Sequence, residues 1–260
     1  MAFEVDRHVA EIDEVGFTVV DGVVPPADLP GLRRAVQAAV DADWVRYRGR
    51  PGKEYFISLD LVAHGGPFLA LLENPVADAL FGALLGESWT LYTLTSTMVY
   101  PDTDQYTCRI HNDMGRDSNG YRLGALATLA LDDFTLQNGT TWFLPGSHRR
   151  PKRPPEAEFF ASAVRVERSA GSAAFFDPRI WHAGGRNTSG QARHGCTLYA
   201  CRSFMRQRLD YPRLVAQAGI DPDELSPTVR RVLGFDVRVP TSLDEFYVPP
   251  GERLYKPGQG

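Results

Sequence analysis

The feature that most constrains the fold is a series of short β-prone segments separated by turn-forming residue pairs. The segment 89–100 is rich in Thr, Tyr, Val and Leu, and similar β-prone pieces recur at 108–113, 123–132, 140–144, 172–177 and 195–204. Asn119-Gly120, Asn138-Gly139 and Pro145-Gly146 lie between several of them, and such pairs favour tight turns. Helical patterns do not alternate with these segments, so repeated βαβ units are disfavoured. The spacing predicts a mainly β fold, either a barrel or a jelly roll.

Helical signals flank this β-rich region. Amphipathic or capped segments at 4–14, 32–40, 75–85, 211–218 and 226–233 predict α-helices. Asn74-Pro75 places a cap residue before a proline at the first helical position, and Ser226-Pro227 repeats that signal. Residues 149–158 are rich in proline and charge and predict an exposed loop, and residues 248–260 predict an extended tail. We expect a single domain over 1–260, with a helical N-terminal third.

Composition narrows the class of protein. The chain has 260 residues, of which 43% are hydrophobic and 11% aromatic, enough to bury a substantial core. A formal net charge of −4 argues against a nucleic-acid partner, which requires a basic surface. The three cysteines have no CxxC spacing and lie in β-prone stretches, which favours reduced thiols and a cytoplasmic location. Residues 1–16 resemble neither a signal peptide nor a membrane helix, so we expect no membrane partner; the oligomeric state is left open.

His111, Asp113 and His182 form the strongest chemical signal. Two imidazoles and one carboxylate on one side of an iron ion leave the remaining positions open, as in the facial triad of non-haem Fe(II) oxygenases. In an extended His-x-Asp segment the first and third side chains lie on the same face. Arg193 follows His182 by eleven positions and offers a planar fork for an acidic cosubstrate.

The remaining histidines have simpler interpretations. His8 and His64 lie in the helical N-terminal third, and we expect neither to bind metal. His148 closes a Pro-Gly-Ser-His turn and could order that loop, border the pocket or act as a ligand. His194 adjoins Arg193, so on a strand it faces the opposite way.

Four motifs resemble the phytanoyl-CoA dioxygenase family. They are His111-Asn112-Asp113, the segment 138–148 (Asn-Gly-Thr-Thr-Trp-Phe-Leu-Pro-Gly-Ser-His), Trp181-His182 and Arg193. The phrase 15–22 (Val-Gly-Phe-Thr-Val-Val-Asp-Gly) is similar to the entry segment of that family. The resemblance covers roughly residues 10 to 205.

The resemblance implies a cupin-like double-stranded β-helix that binds Fe(II), 2-oxoglutarate and O2. In this family pattern His111, Asp113 and His182 are the metal ligands and catalytic centre, and Arg193 pairs with the distal carboxylate of 2-oxoglutarate. Asn112 either faces the cosubstrate or packs behind the strand. The family often has a serine two residues after the distal histidine, where this chain has Gly184, so another hydroxyl is expected to replace it. The candidates are Thr95, Thr128 and Thr141, and Thr141 is the one we assign to the cosubstrate site.

We therefore expect a dioxygenase that oxidises an unactivated C–H bond of a small metabolite or natural-product intermediate, with hydroxylation as the outcome. Because Asp113 is present, the open halide position of a halogenase is disfavoured. Arg116 and Arg122 could lie on a lid over an anionic substrate group, and the aromatic residues Tyr92, Tyr100, Tyr106 and Trp142 could line the pocket. No strongly basic groove is evident, which disfavours an acyl-CoA. Two alternatives stay open: a cupin-type metalloenzyme that does not use 2-oxoglutarate, and a non-catalytic ligand-binding jelly roll.

Overall fold

The structure is a computed structural model of the chain, and it describes residues 4–50, 54–55, 57–103, 105–115, 118–237 and 240–253. Its helices are α1 (Val5–Val15), α2 (Leu29–Tyr47), α3 (Pro67–Leu71), α4 (Pro75–Leu85), α5 (Glu156–Ser162), α6 (Tyr211–Gln217), α7 (Pro227–Val232) and α8 (Leu243–Phe246). Its strands are β1 (Phe17–Val20), β2 (Thr90–Ser96), β3 (Gly124–Ala130), β4 (Thr141–Phe143), β5 (Val164–Arg165), β6 (Ala173–Phe176), β7 (His182–Gly184) and β8 (Gly195–Cys201). Within these described ranges, no helix is both long enough and apolar enough to cross a membrane.

The strands form two antiparallel sheets. The major sheet has the order β1-β6-β3-β8-β2, and the minor sheet has the order β5-β4-β7. Strands that are neighbours in the major sheet are mostly distant in sequence, as a jelly roll requires. The expected double-stranded β-helix is confirmed, although strand and isolated-bridge residues make up only 18% of the described residues, so "mainly β" describes the site-bearing half better than the whole.

The two faces of the major sheet have different surroundings. In β8, Cys196, Leu198 and Ala200 belong to the main hydrophobic cluster, which also contains residues of α2, α4, α6 and α7. Tyr199 points the other way, into a second cluster that joins the major sheet to Phe143 of the minor sheet. Because successive side chains alternate across a strand, β8 supplies core on one face and cavity wall on the other.

Local signals set the helix ends. The Asn74 side chain accepts hydrogen bonds from the backbone N–H groups of Val76 and Ala77, at 3.1 and 3.0 Å, and Pro75 occupies the first turn. The Ser226 hydroxyl caps α7 in the same way, accepting from the Val229 N–H at 3.2 Å. These capped helices pack on the outer face of the major sheet and leave its inner face to the cavity.

Three sequence predictions differ from the structure. Residues 108–113 do not form a regular strand: a short 3-10 helix covers Tyr106–Cys108, and the chain then meets the minor sheet at a single bridge. The predicted loop 149–158 ends early, because the acidic first turn of α5 begins at Glu156. The predicted extended tail contains a 3-10 turn at Pro250–Glu252, and residues 254–260 lie outside the described residues.

Candidate metal centre and cavity

A backbone bridge brings the two histidines of the candidate metal centre together. The His111 N–H donates to the His182 carbonyl at 3.0 Å, and the His182 N–H donates to the His111 carbonyl at 2.9 Å. Residues that exchange both hydrogen bonds lie directly opposite each other in an antiparallel pair, so their side chains share a face. The ring centroids are 4.3 Å apart.

The Asp113 carboxylate completes the cluster. Its backbone N–H donates to the Pro178 carbonyl at 2.8 Å, which fixes this residue beside the segment that leads into β7. Asp113 Oδ1 lies 3.9 Å from His111 Nε2, and Oδ2 lies 3.5 Å from His182 Nε2. The three potential ligand atoms all lie within 4.8 Å of one another, and no other such group of His, Cys, Asp or Glu occurs among the described residues.

Both imidazoles are oriented for metal binding through Nε2. His111 Nδ1 donates to the Arg109 carbonyl at 2.7 Å, and His182 Nδ1 donates to the Ile180 carbonyl at 3.0 Å. A hydrogen bond from Nδ1 to a backbone carbonyl fixes the tautomer and leaves Nε2 free to bind a metal. Burial, followed by the nearby His111, lowers the pKa of His182 to about 4, so its imidazole is neutral at physiological pH. Neutral imidazole is the form that coordinates a metal.

The cluster opens onto a cavity of about 590 Å³ that Arg193 also lines. Arg193 is 4% exposed and is held by a backbone bridge to Val99. Its Nη1 donates to the Gly139 carbonyl and its Nη2 to the Thr97 carbonyl at 3.5 Å. Arg193 therefore shares one cavity with the three metal-ligand candidates, as the sequence predicted.

A second buried arginine, Arg168, stacks on the same aromatic ring as Arg193. The guanidinium carbons of Arg193 and Arg168 are 3.8 and 4.2 Å from the ring centroid of Phe134. Burial lowers the pKa of Arg193 to about 9, and burial together with the charge of Arg193 lowers the pKa of Arg168 to about 9. No carboxylate forms a salt bridge with either side chain among the described residues. Arg168 carries no local sequence signal, because nothing in its pattern distinguishes it from an exposed strand residue.

The predicted hydroxyl groups have different environments. Thr95, Thr128 and Thr141 all line the cavity, and Thr141 lies directly opposite Gly184 in the β4–β7 pair. The Thr128 hydroxyl already has a partner, since it lies 2.9 Å from the Thr197 hydroxyl. Asn112 borders the same cavity. The roles assigned to Asn112 and Thr141 toward a cosubstrate stay predictions.

The cavity wall is partly aromatic. Tyr92 and Tyr106 line it as expected, whereas Tyr100 and Trp142 do not. Tyr199, which sequence analysis missed, packs 4.8 Å from Tyr92 between ring centroids. Strand alternation could have identified it, because residues 193, 197 and 199 share one face of the strand.

A second cavity, of about 580 Å³, adjoins the first at Asn112 and is lined by Arg122, Arg149, Arg150 and Arg179. The fold assembles these arginines from dispersed parts of the sequence, and the expectation that no strongly basic groove exists stays a prediction. Carboxylates offset much of this charge: Arg122 pairs with Asp13 and Asp177, Arg179 with Asp177, and Arg150 with Glu158. Arg122 is thus engaged in structural ion pairs, and Arg116 lies outside the described residues.

The other histidines have structural partners away from the metal centre. His8 Nδ1 contacts the Thr18 hydroxyl at 2.8 Å, His64 pairs with Asp43 at 3.3 Å, and His194 pairs with Asp132 at 2.8 Å. His148 is buried beside the backbone of Asp13, with its Nε2 3.3 Å from that carbonyl. Arg193 lines the cavity and His194 is not among its described lining residues, which agrees with the alternation expected of neighbours on a strand.

Comparison with known proteins identifies the family. The fold resembles the epimerase SnoN from nogalamycin biosynthesis, whose structure contains Fe3+, alpha ketoglutarate and nogalamycin RO (TM-score 0.62, 19% identity, covering 86% of this chain and 92% of SnoN). It also resembles EctD from S. alaskensis, solved with 2-oxoglutarate and 5-hydroxyectoine (TM-score 0.63, 17% identity, covering 75% of each chain). The uncharacterized protein Rv1501 of Mycobacterium tuberculosis is 33% identical over 254 residues, which cover 95% of this chain and 92% of Rv1501. Residues 12–195 match the phytanoyl-CoA dioxygenase (PhyH) family, and the chain therefore belongs to that family.

Proposed function

We propose that this protein is an Fe(II)- and 2-oxoglutarate-dependent oxygenase that hydroxylates an unactivated C–H bond of a small metabolite or natural-product intermediate. The observation that carries the proposal is the convergence of His111, Asp113 and His182 on one cavity that also contains the buried guanidinium of Arg193. Family membership and the structures of SnoN and EctD support the same chemistry.

The residues present fit an iron(II) ion. His111 Nε2, His182 Nε2 and one Asp113 oxygen would hold it, since imidazole and carboxylate donors on one side suit Fe(II) while thiolates do not. The Nδ1 hydrogen bonds to backbone carbonyls keep both rings oriented before the metal arrives. When bound, iron(II) and 2-oxoglutarate reduce dioxygen, with loss of carbon dioxide and formation of succinate, and supply an oxidant able to attack an unactivated C–H bond.

Arg193 discriminates between this proposal and a cupin-type enzyme that uses no keto diacid. A buried guanidinium without a carboxylate partner is costly to fold, and an anionic ligand offsets that cost. The distal carboxylate of 2-oxoglutarate is such a ligand. Arg193 would bind it and so orient the keto acid in the cavity.

The other residues that line the cavity indicate which chemical features a substrate should have. Tyr92, Tyr199, Leu126 and Phe176 give it an apolar and aromatic surface, which favours a substrate with an apolar body. Glu54 also lines the cavity, and its buried Oε2 has no hydrogen-bond partner among the described residues. A substrate with an N–H or O–H donor would satisfy that oxygen, since an unpaired buried acceptor costs free energy.

The first experiment is an anaerobic titration of Fe(II) and then 2-oxoglutarate into metal-free protein. We expect a weak visible charge-transfer band to develop only when both are present, and the variant Asp113→Ala to show neither stable iron binding nor the band. Iron binding without any response to 2-oxoglutarate would favour the cupin-type alternative. A wild-type protein that binds no divalent metal would contradict the proposal and favour a ligand-binding jelly roll.

Product analysis then tests hydroxylation. SnoN is described as an epimerase and SnoK as a carbocyclase, and both share this fold at 19% and 18% identity. Small molecules that perturb the charge-transfer band are therefore incubated with dioxygen and examined by mass spectrometry. Hydroxylation predicts a gain of one oxygen atom that carries label from 18O2, whereas epimerisation leaves the mass unchanged and ring closure removes two hydrogens.

Two broader proposals accompany this function. We propose that residues 1–260 form a single domain, because the main hydrophobic cluster joins helices from both ends of the chain to the major sheet. We also propose a cytoplasmic location, supported by Cys196 and Cys201, which are free thiols buried in β8.

A further inference from the structure

Three buried donor groups of the cavity have no hydrogen-bond partner among the described residues. They are Nε of Arg193, Oγ1 of Thr97 and Oγ1 of Thr107, and all three residues line the cavity. A buried hydroxyl or guanidinium N–H left unpaired costs free energy, so such a group usually indicates a ligand or an ordered water. Three of them in one cavity indicate a site for an acceptor with several lone pairs.

The three groups come from separate segments that meet at one cavity. The Thr97 carbonyl accepts a hydrogen bond from Arg193 Nη2, and the Thr97 N–H donates to the Gly195 carbonyl at 2.8 Å. Thr107 precedes Cys108, whose thiol donates to the Gly185 carbonyl at 3.7 Å and which lies close enough to Arg193 to influence its pKa. Thr97 and Thr107 therefore reach the cavity that contains Arg193 from two different segments of the chain.

Because Gly184 has no side chain, the backbone of Thr107 can approach it closely. A Cβ atom built at Gly184 would lie 3.1 Å from the Thr107 carbonyl oxygen and 3.6 Å from Cys108 Sγ. The 3-10 turn at Tyr106–Cys108 therefore occupies the space into which a serine at position 184 would project. The same turn carries Thr107, whose hydroxyl belongs to a residue that lines the cavity.

We propose that Thr97 and Thr107 complete the site for the distal carboxylate of 2-oxoglutarate, so that Arg193 and two threonine hydroxyls hold its two oxygens. Thr107 takes the position of the serine that is common at residue 184 in the family. Thr128 is not part of this site, because its hydroxyl is already bonded to Thr197. The proposal rests on the proposed use of 2-oxoglutarate.

The test measures equilibrium binding rather than turnover. The Kd for 2-oxoglutarate is determined by calorimetry on Mn2+-loaded, anaerobic protein for wild type, Thr97→Val and Thr107→Val, with Thr128→Val as the matched cavity control. Valine has nearly the same shape as threonine but no hydroxyl. Each of the first two variants is expected to raise the Kd about 10-fold or more, because a hydrogen bond to a carboxylate is lost. Thr128→Val is expected to stay within about twofold, since its hydroxyl has its own partner.

Two further measurements test whether the distal carboxylate of 2-oxoglutarate is the group that the two threonine hydroxyls bind. The serine variants Thr97→Ser and Thr107→Ser are expected to restore most of the affinity. With 2-oxopentanoate, which lacks the distal carboxylate, the valine variants are expected to bind as wild type does. Thermal melting of each variant confirms that the fold is intact.

The outcomes separate the two proposals. If wild type binds Mn2+ but not 2-oxoglutarate, the proposed function itself fails. If wild type binds 2-oxoglutarate and both valine variants bind it equally well, the function stands and this assignment is overturned. A loss in Thr128→Val as large as in Thr107→Val, or an equal loss toward 2-oxopentanoate, also overturns it.

Discussion

Replacing Arg168 by methionine is expected to stabilise the metal-free protein. Arg168 is 7% exposed, and its Nε, Nη1 and Nη2 have no hydrogen-bond partner among the described residues. Stacking on Phe134, at 4.2 Å from the ring centroid, partly offsets the cost of burying its charge. The nearby charge of Arg193 adds repulsion. The side chain is therefore a buried cation that the surrounding residues do not neutralise.

The pKa of Arg168 gives the size of the effect. Burial and the charge of Arg193 lower it from 12.5 to about 9. At about 1.36 kcal/mol for each pKa unit, this difference disfavours the charged form in the folded state by about 5 kcal/mol. Methionine also loses the stacking on Phe134, worth about 1 kcal/mol. Because replacing buried charges by apolar side chains typically gains about 1–4 kcal/mol, we expect the free energy of unfolding to rise by about 2–4 kcal/mol.

The free-energy cost of burying the Arg168 charge also depends on pH. Since the folded pKa lies below the unfolded pKa, the unfolded chain retains the proton more readily, and the penalty is fully present below about pH 9. Above that pH the wild-type protein regains stability relative to the variant. The stabilisation from Arg168→Met should therefore be constant between about pH 6 and 8 and smaller at about pH 10.

Urea denaturation with EDTA present, followed by the fluorescence of the buried Trp89 and Trp181, measures the difference. Arg213→Met is the control, because the Arg213 side chain is 75% exposed, 3.8 Å from Asp210, and its replacement should change the free energy of unfolding by less than about 0.5 kcal/mol. A loss of stability in Arg168→Met greater than about 1 kcal/mol would refute the reasoning, since it would show that the charge is satisfied in the folded protein.

Three other changes test the packing and the site. Arg193→Leu should raise the Kd for 2-oxoglutarate more than about 100-fold on Mn2+-loaded protein while leaving the Mn2+ affinity unchanged, and equal affinities in calorimetry would remove Arg193 from its role. Gly139→Ala should cost more than about 2 kcal/mol in urea denaturation, because Gly139 has φ +85° and a Cβ there would overlap the carbonyl oxygen of Gly185. Gly120→Ala, at φ +82° with no described residue within 4 Å of the added Cβ, should cost only about 1 kcal/mol, and equal losses would contradict the steric argument. Asn74→Ala should lower the free energy of unfolding by about 1 kcal/mol, and no loss would mean that water caps α4 equally well.

The sequence determined the elements whose signals are local. Asn74-Pro75 and Ser226-Pro227 predicted helix starts that the structure has, because a cap acts within one turn of its own residue. The alternation of side chains placed His194 on the face opposite Arg193. His111, Asp113 and His182 were predicted as one cluster, because few histidines were available and the two ligand types suit iron.

Tertiary structure decided everything that depends on contacts between distant segments. The bridge between His111 and His182, rather than a regular strand over 108–113, aligns the two imidazoles. The close approach of Thr107 to Gly184, the stacking of Arg168 and Arg193 on one ring, and the pairing of Arg122 with Asp13 and Asp177 have no local signal. Short-range patterns fix which residues share a face of one element, but which faces meet depends on how the two sheets pack, and only the folded chain shows that.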